Sequence, residues 1–198
     1  MIAKDIQGFS VGVFDNGMRH IGGTKQPIRI ADDLVGVRMR IPAGPIFEDT
    51  FKALGAEPVT VNSSGIYEAL KRGTVDAQEN PLAYMSLFKH YEVMKYVSIT
   101  NHMWSGFNML AHLPTWKRLP DGIKRVIERN ISKAVHLQRL DQQKLNTDAR
   151  AELAQKLAIN EANSATFRPK LSGVYAMWKK RLGTKCWSLL EDASGRLV

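Results

Sequence analysis

Between Lys124 and Ala158 the chain carries neither glycine nor proline. Across this stretch Ile123, Val126, Ile127, Ile131, Ala134 and Val135 recur at the i, i+3, i+4, i+7 spacing of one helical face, and Leu145, Ala149 and Leu153 continue the stripe. The pattern predicts a single helix from Pro120 to about Ala158, roughly 55 Å long at ~1.5 Å per residue. A compact globule of this chain length is only ~40 Å across. Such a helix must span two lobes, kink, or project to pair with another chain.

The first half has a different rhythm. Phe9 to Phe14 alternate apolar and small residues as a strand does, and Asp15-Asn16-Gly17 is a turn signal. Val35 to Ile41 is a second strand, with Val35, Val37, Met39 and Ile41 on one face and Gly36, Arg38 and Arg40 on the other. Pro45 is placed to open a helix through Phe51 and Leu54, and Gly55 to end it. Pro58 to Val61 is a short strand. Ser63 or Ser64 caps a helix through Leu70, Gly73 closes it, and Val75-Asp76-Ala77 is a further strand. Strand, helix, strand, helix, strand with short connections predicts a mostly parallel sheet covered by helices. In such sheets ligands collect outside the C-terminal strand ends, and Arg40 and Asn80 both lie at such ends. Later, Val97-Ser98-Ile99 and Phe107 to Ala111 read as two strands, and Phe167 to Arg181 as a last helix with Pro169 in its first turn.

With 198 residues and 44% apolar content the chain can bury a core as one domain or two small lobes. No apolar run approaches the ~18–20 residues that cross a bilayer. Met1-Ile2-Ala3-Lys4-Asp5 does not open a signal peptide. The 28 Lys and Arg against 19 Asp and Glu give +9, but the basic residues are scattered, which argues against nucleic acid as a partner; the overall field favours anionic ligands. The lone Cys186 excludes an internal disulfide and reads as a buried structural thiol. The five histidines form no metal-ligand spacing, and no P-loop, dinucleotide fingerprint or nucleophile elbow is present. Nothing here assembles a nucleophile, a base and an orienting group, and neither a metal nor a cofactor is expected.

Several blocks follow one another in a telling order. Gly36-Val37-Arg38-Met39-Arg40-Ile41-Pro42 is followed by Phe51-Lys52-Ala53-Leu54-Gly55-Ala56-Glu57-Pro58-Val59, then Tyr67-Glu68-Ala69-Leu70, Gly73 and Val75-Asp76-Ala77-Gln78-Glu79-Asn80-Pro81. Tyr91-Glu92-Val93, Lys95-Tyr96 and Thr100-Asn101-His102 come next. From about Gly17 to Gly183 the chain resembles the solute receptors of tripartite ATP-independent periplasmic (TRAP) transporters. The resemblance implies an α/β, periplasmic-binding-protein-like two-lobe fold with a long lobe-spanning helix, here read as N-terminally truncated to the last two-thirds of a receptor. Residues 1–34 would be a remnant of lobe one and the hinge, 35–100 lobe two with its parallel strands, 101–119 crossover strands, 120–158 the spanning helix, and 159–198 C-terminal helices. The truncation would leave the strand at 9–14 with an exposed sheet edge or an unusual partner.

Function follows from the same resemblance. It implies a periplasmic receptor that captures a small organic acid and delivers it to the membrane permease subunits. Arg40 takes the slot of the arginine that grips the ligand carboxylate through two parallel hydrogen bonds, a geometry that guanidinium suits; a salt bridge is the alternative. Asn80 takes a ligand-facing slot, with helix capping before Pro81 as the other role open to it. Arg19, in Asn16-Gly17-Met18-Arg19-His20, resembles an auxiliary positive charge, with a plain surface arginine as the alternative. Ser63 stands where some members place an aromatic that packs on the ligand. Trp104 and Asn108 are candidates for the cleft wall, with core packing the stronger reading for Trp104. Gln78 and Glu79 line or brace the cleft. A homodimer assembled through the long helix is the rival expectation.

Overall fold

In a computed structural model, which describes residues 7–197, the chain forms a six-stranded sheet in the order β3-β2-β4-β1-β5-β6, with helices on both faces. The strands are β1 (Gly8–Gly23), β2 (Arg38–Ile41), β3 (Glu57–Thr60), β4 (Ala77–Asn80), β5 (Tyr96–His112) and β6 (Ala158–Glu161). The helices are α1 (Pro45–Ala53), α2 (Ile66–Lys71), α3 (Leu82–Leu87), α4 (Leu113–Arg118), α5 (Asp121–Ala154), α6 (Phe167–Lys170), α7 (Ser172–Leu182) and α8 (Thr184–Ser194). As the alternation of elements predicts, β2 runs parallel to β3 and to β4, with Arg40 opposite Val59 and Gln78.

The two faces of the sheet carry separate apolar cores. Ile21, Met39, Ile41 and Ala77 pack with Phe51 of α1 and with Phe167, Leu171 and Val174 of the C-terminal helices. Val97 and Ile99 pack on the other side with Ile66, Leu70, Met85 and, from the end of α5, Ala149 and Leu153. Pro45 stands in the first turn of α1, and Gly55, at φ +83°, follows its C-cap in the left-handed conformation that glycine tolerates.

Several elements differ from the sequence reading. The strand at 9–14 and the turn at 15–17 are parts of one strand, β1. Asp15-Asn16-Gly17 is a bulge in it: the register against β5 shifts between Asp15 and Gly17, and Gly17 takes φ +109°. The two strands expected over 97–111 are likewise one, β5, because β1 pairs with it from Gly8 to Gly23 and carries the ladder through. The helix at 66–71 begins with a 3₁₀ turn, Ser63–Gly65, and neither serine side chain caps it. The last helix breaks at Leu171, which ends α6 and precedes α7. Cys186 is exposed, not buried; the next residue, Trp187, takes the buried position on α8.

The long helix is continuous from Asp121 to Ala154, about 51 Å. It ends four residues before Ala158 because Ala158–Glu161 pairs with β5 as β6. Its flank lies along β1, where the helix takes the place of a strand. The Gln138 side-chain amide accepts from Asp15 N–H at 2.8 Å and donates to Asp15 C=O at 2.7 Å, reproducing the pair of bonds that a neighbouring strand would make. Arg139 donates to the Val13 carbonyl and Gln142 to that of Asn16. Farther along, Asn146 accepts from Ala83 N–H and Glu152 from the Ser86 hydroxyl, which ties the helix to α3. It therefore contacts elements of both halves of the chain. Among the described residues the β1 edge at 13–16 has this unusual partner, whereas β5 beyond Ile99 pairs only with β1 and leaves its other edge free.

Candidate functional site

Three arginines lie on or beside β2 and β4, Arg38 at the N-terminal strand ends and Arg19 and Arg40 toward the C-terminal ends, and what neutralises each one differs. Arg38 points to the start of β4: its Nε and Nη2 hold the Asp76 carboxylate at 3.0 and 2.6 Å, and Lys25 adds a third contact at 3.0 Å. These partners pull Asp76 down to about 2, Arg38 contributing most and outweighing the opposing effect of burial. Arg19 on β1 is buried, which removes the reading of a surface arginine. It grips Glu79 through Nε and Nη2, and Nη2 also donates to the Glu79 carbonyl at 2.7 Å and to Asn80 Oδ1 at 3.1 Å.

Arg40 has no such counter-charge. It is 2% exposed, and its Nε donates to the Val61 carbonyl at 2.8 Å. Among the described residues no carboxylate lies within ion-pair distance of it. Burial is the largest influence on its guanidinium and lowers its proton affinity from the ordinary value; Glu79 pulls the other way and Arg19 adds repulsion. The nearby His90 is 1% exposed and held neutral, its pKa lowered to about 4 by burial and then by the Arg40 charge.

Glu79 is completely buried, and that burial alone would raise its pKa. His102 and Arg19 outweigh it and keep the carboxylate ionised below its ordinary range. His102 Nε2 stands 3.4 Å from Glu79 Oε2, outside hydrogen-bond geometry; its Nδ1 bonds the Thr100 hydroxyl at 2.7 Å and its ring meets Phe51 edge-on. On the opposite face Gln78 Oε1 accepts from Asn80 Nδ2 at 2.7 Å. The undivided reading of Gln78 and Glu79 thus resolves into two braces: Glu79 holds Arg19, and Gln78 orients the amide of Asn80.

The structure bonds Arg19 to Asn80 directly and sets Arg40 close enough to feel the charges of Arg19 and Glu79. Ser63 is exposed in the turn after β3, two residues past the carbonyl that holds Arg40. Trp104 is 51% exposed, so core packing is corrected. Its indole N–H donates to Asp15 Oδ1 at 2.7 Å, and it lines a different recess of about 780 Å3, between β1 and α5, which none of Arg19, Arg40 and Asn80 lines. Asn108 is exposed farther along the same strand, opposite Val13. Sequence reasoning took from His90 and His102 only that they form no metal-ligand spacing, and passed over the Val61 carbonyl entirely. No local signal marks them, since they reach the arginines only through packing.

This mixed sheet, covered by helices on both faces, is the fold of TRAP periplasmic solute-binding proteins. The chain belongs to the bacterial extracellular solute-binding protein family 7 (DctP), which matches residues 1–181. It is 29% identical over 181 residues to the C4-dicarboxylate-binding periplasmic protein DctP of Rhodobacter capsulatus, covering 91% of this chain and 51% of the relative. An uncharacterized protein, y4mM, of Sinorhizobium fredii is 37% identical over 140 residues, 71% of this chain and 25% of that one. Among solved structures, a TRAP periplasmic solute-binding protein from Polaromonas bound to D-erythronate superposes with a TM-score of 0.87 at 25% identity, covering 96% of this chain and 63% of that one. The sugar acid binding protein of Advenella mimigardefordensis in complex with galactonate gives 0.85 at 26% identity, over 96% and 63%. The chain thus spans about half or less of these curated relatives and under two-thirds of these solved ones. Among the described residues no helix is long and apolar enough to cross a membrane.

Proposed function

We propose that the chain is the carboxylate-gripping part of a periplasmic TRAP-type receptor, which captures a small organic acid and passes it to membrane permease subunits. It acts as a receptor and not as an enzyme, and needs no cofactor. The observation that carries this reading is Arg40: a buried guanidinium at a strand end, beside two arginines that have carboxylate partners, without one of its own among the described residues. A buried cation left unpaired is costly, and an anionic ligand offsets that cost. Asn80, held by Gln78 and Arg19, offers the ligand an oriented amide. Arg19 adds positive potential while Glu79 keeps it in place, and Ser63 stands at the rim. Trp104 and Asn108 keep a ligand role here only as wall residues reached when lobes close. D-erythronate, galactonate and, in a Sulfurospirillum deleyianum receptor 26% identical to this chain, succinate share the carboxylate that Arg40 would take.

Calorimetric titration with these acids tests the reading, on the chain alone and on the chain joined behind the N-terminal third of the Polaromonas receptor. Arg40→Ala should weaken binding by about 2–5 kcal/mol, the loss typical of one partner of a buried charge pair, or roughly thirtyfold to several-thousandfold. Arg40→Lys should recover only part of it, for want of the planar fork. Asn80→Ala should cost about 1–3 kcal/mol. If Arg38→Ala abolished binding while Arg40→Ala left it intact, the assignment would be wrong.

A second reading, a homodimer, is favoured by one observation: Leu137, Leu140 and Leu145 of α5 are each about half exposed. Sedimentation that gives a strict monomer at all concentrations removes it.

A further inference from the structure

A cavity of about 300 Å3 lies under the C-terminal helices, on the face of the sheet opposite Arg40. Thr50 of α1, His102 of β5, Leu171, Trp178 of α7, and Trp187 and Leu190 of α8 are among the residues that wall it. No aspartate, glutamate, lysine or arginine does. Trp187 is 2% exposed, and its indole N–H is buried without a partner. The other indoles in reach of an acceptor have taken one: Trp178 donates to Asp49 Oδ2 at 3.0 Å and Trp104 to Asp15. Native structures rarely leave a buried donor unmade, and each such case calls for a group that satisfies it. An ordered water needs two to four polar partners, and this wall is mostly hydrocarbon. The volume falls at the lower end of ordinary ligand sites, which combine an apolar lining with a few placed polar groups.

We infer that this cavity is a second binding site, which takes a compact uncharged molecule with one hydrogen-bond acceptor seated against Trp187 Nε1–H. With no lysine or arginine in its lining, the cavity disfavours the organic acids that suit Arg40, since a carboxylate here would lose its hydration without such a counter-charge. Trp187, Leu190 and Leu197, which line it, lie beyond the residues 1–181 that match the family. His102 is a lining residue that also faces Glu79, so an occupant sits one side chain away from the Arg19 brace.

Cyclohexanone is the probe, and methylcyclohexane, similar in shape but without an acceptor, is the control. The readout is the indole ¹⁵N–¹H resonance of Trp187, assigned by its loss in Trp187→Phe. Cyclohexanone should move that resonance saturably and bind about fivefold tighter than methylcyclohexane, the share of one neutral hydrogen bond. Leu190→Trp, a change at the half-exposed mouth that keeps Trp187, should weaken both probes at least tenfold. Trp187→Phe should remove the preference for the ketone, read in that variant from the indole resonance of Trp178, which also lines the cavity, with the Trp104 resonance confirming the fold. Arg40→Ala should change none of this, so the outcome is independent of the organic-acid reading. A Trp187 resonance that stays in place at millimolar cyclohexanone would overturn the inference. So would equal affinity for the two probes, or undiminished binding in Leu190→Trp.

Discussion

Arg38 and Arg40 are two residues apart on the same face of β2, yet substitution should have opposite consequences. Arg38 is tied to Asp76, whose pKa of about 2 lies below that of an unfolded aspartate. A depressed carboxylate adds stability above the unfolded pKa near 4 and loses it as pH falls toward 2. Because Arg38 is more than a third exposed, solvent screening keeps the contribution small. Arg38→Ala should therefore lower the urea midpoint slightly at pH 7 and leave acid binding nearly unchanged. Arg40→Ala, which removes an unpaired buried charge, should leave stability equal or raised. The buried histidines act in a higher pH window. His90 and His20 are both lowered to about 4 from 6.5, burial being the first cause in each, with Arg40 adding to it for His90 and His102 and Arg150 for His20. The unfolded chain takes up protons below 6.5 while the folded one does not, so stability is complete above pH 6.5 and falls progressively to pH 4. Each histidine accounts for up to about 3 kcal/mol. Urea unfolding at pH 7, 5.5 and 4.5 should show the decline, and His90→Gln should flatten it. A flat profile in the parent would mean that these imidazoles are not held neutral.

At the scale of elements, β1 and α5 explain what was legible in the chain and what was not. The short parallel strands, α1 with Gly55 behind it, and the uninterrupted helix from Asp121 follow from local rules: periodicity, proline and glycine positions, turn residues. The convergence of Arg40 and Asn80 follows from strand order. Asp15-Asn16-Gly17 obeys the same rules and misleads, because a partner strand some ninety residues away holds the segment extended and turns the kink into a bulge. Arg19 was legible as a charge, but not as one gripped by Glu79, since that contact depends on β1 lying antiparallel to β4. The Gln138 amide is likewise invisible in sequence: a glutamine on a polar helix face is ordinary until a strand edge is placed beside it. Gln138→Ala would leave the Asp15 N–H and C=O without protein partners in a half-buried setting. It should cost about 1–2 kcal/mol in chemical denaturation; Gln138→Glu, which keeps the acceptor and loses the donor, should cost less. No change in either variant would mean that water serves that edge equally well.

For the whole molecule, the free length of β5 is the conspicuous feature. Phe107, Met109 and Leu110 are each 45% or more exposed on a strand with one unpaired edge. The edge expectation fell on β1, where a helix covers it; the template for pairing with other chains is β5 instead. Light scattering should show concentration-dependent association, and Phe107→Lys should suppress it without lowering the melting temperature. If association persists in that variant, the contact lies elsewhere, and the leucines of α5 are next to test.

The tethering of α5 also bears on how the molecule can bend. β1 carries three register shifts against β5, and the two at Asp15/Gly17 and Arg19/Ile21, on the side of the ribbon nearer the sheet centre, are natural points of compliance. The helix bridges both: it is fastened to Val13 and Asp15 on one side and to Ala83 and Ser86 on the other. A hinge with a rod fixed across it works as a braced joint. The β1–β5 ribbon can twist around the rod, but folding away from it would pull the fastenings apart, so its swing is steered into one direction and its amplitude is set by how far α5 can flex.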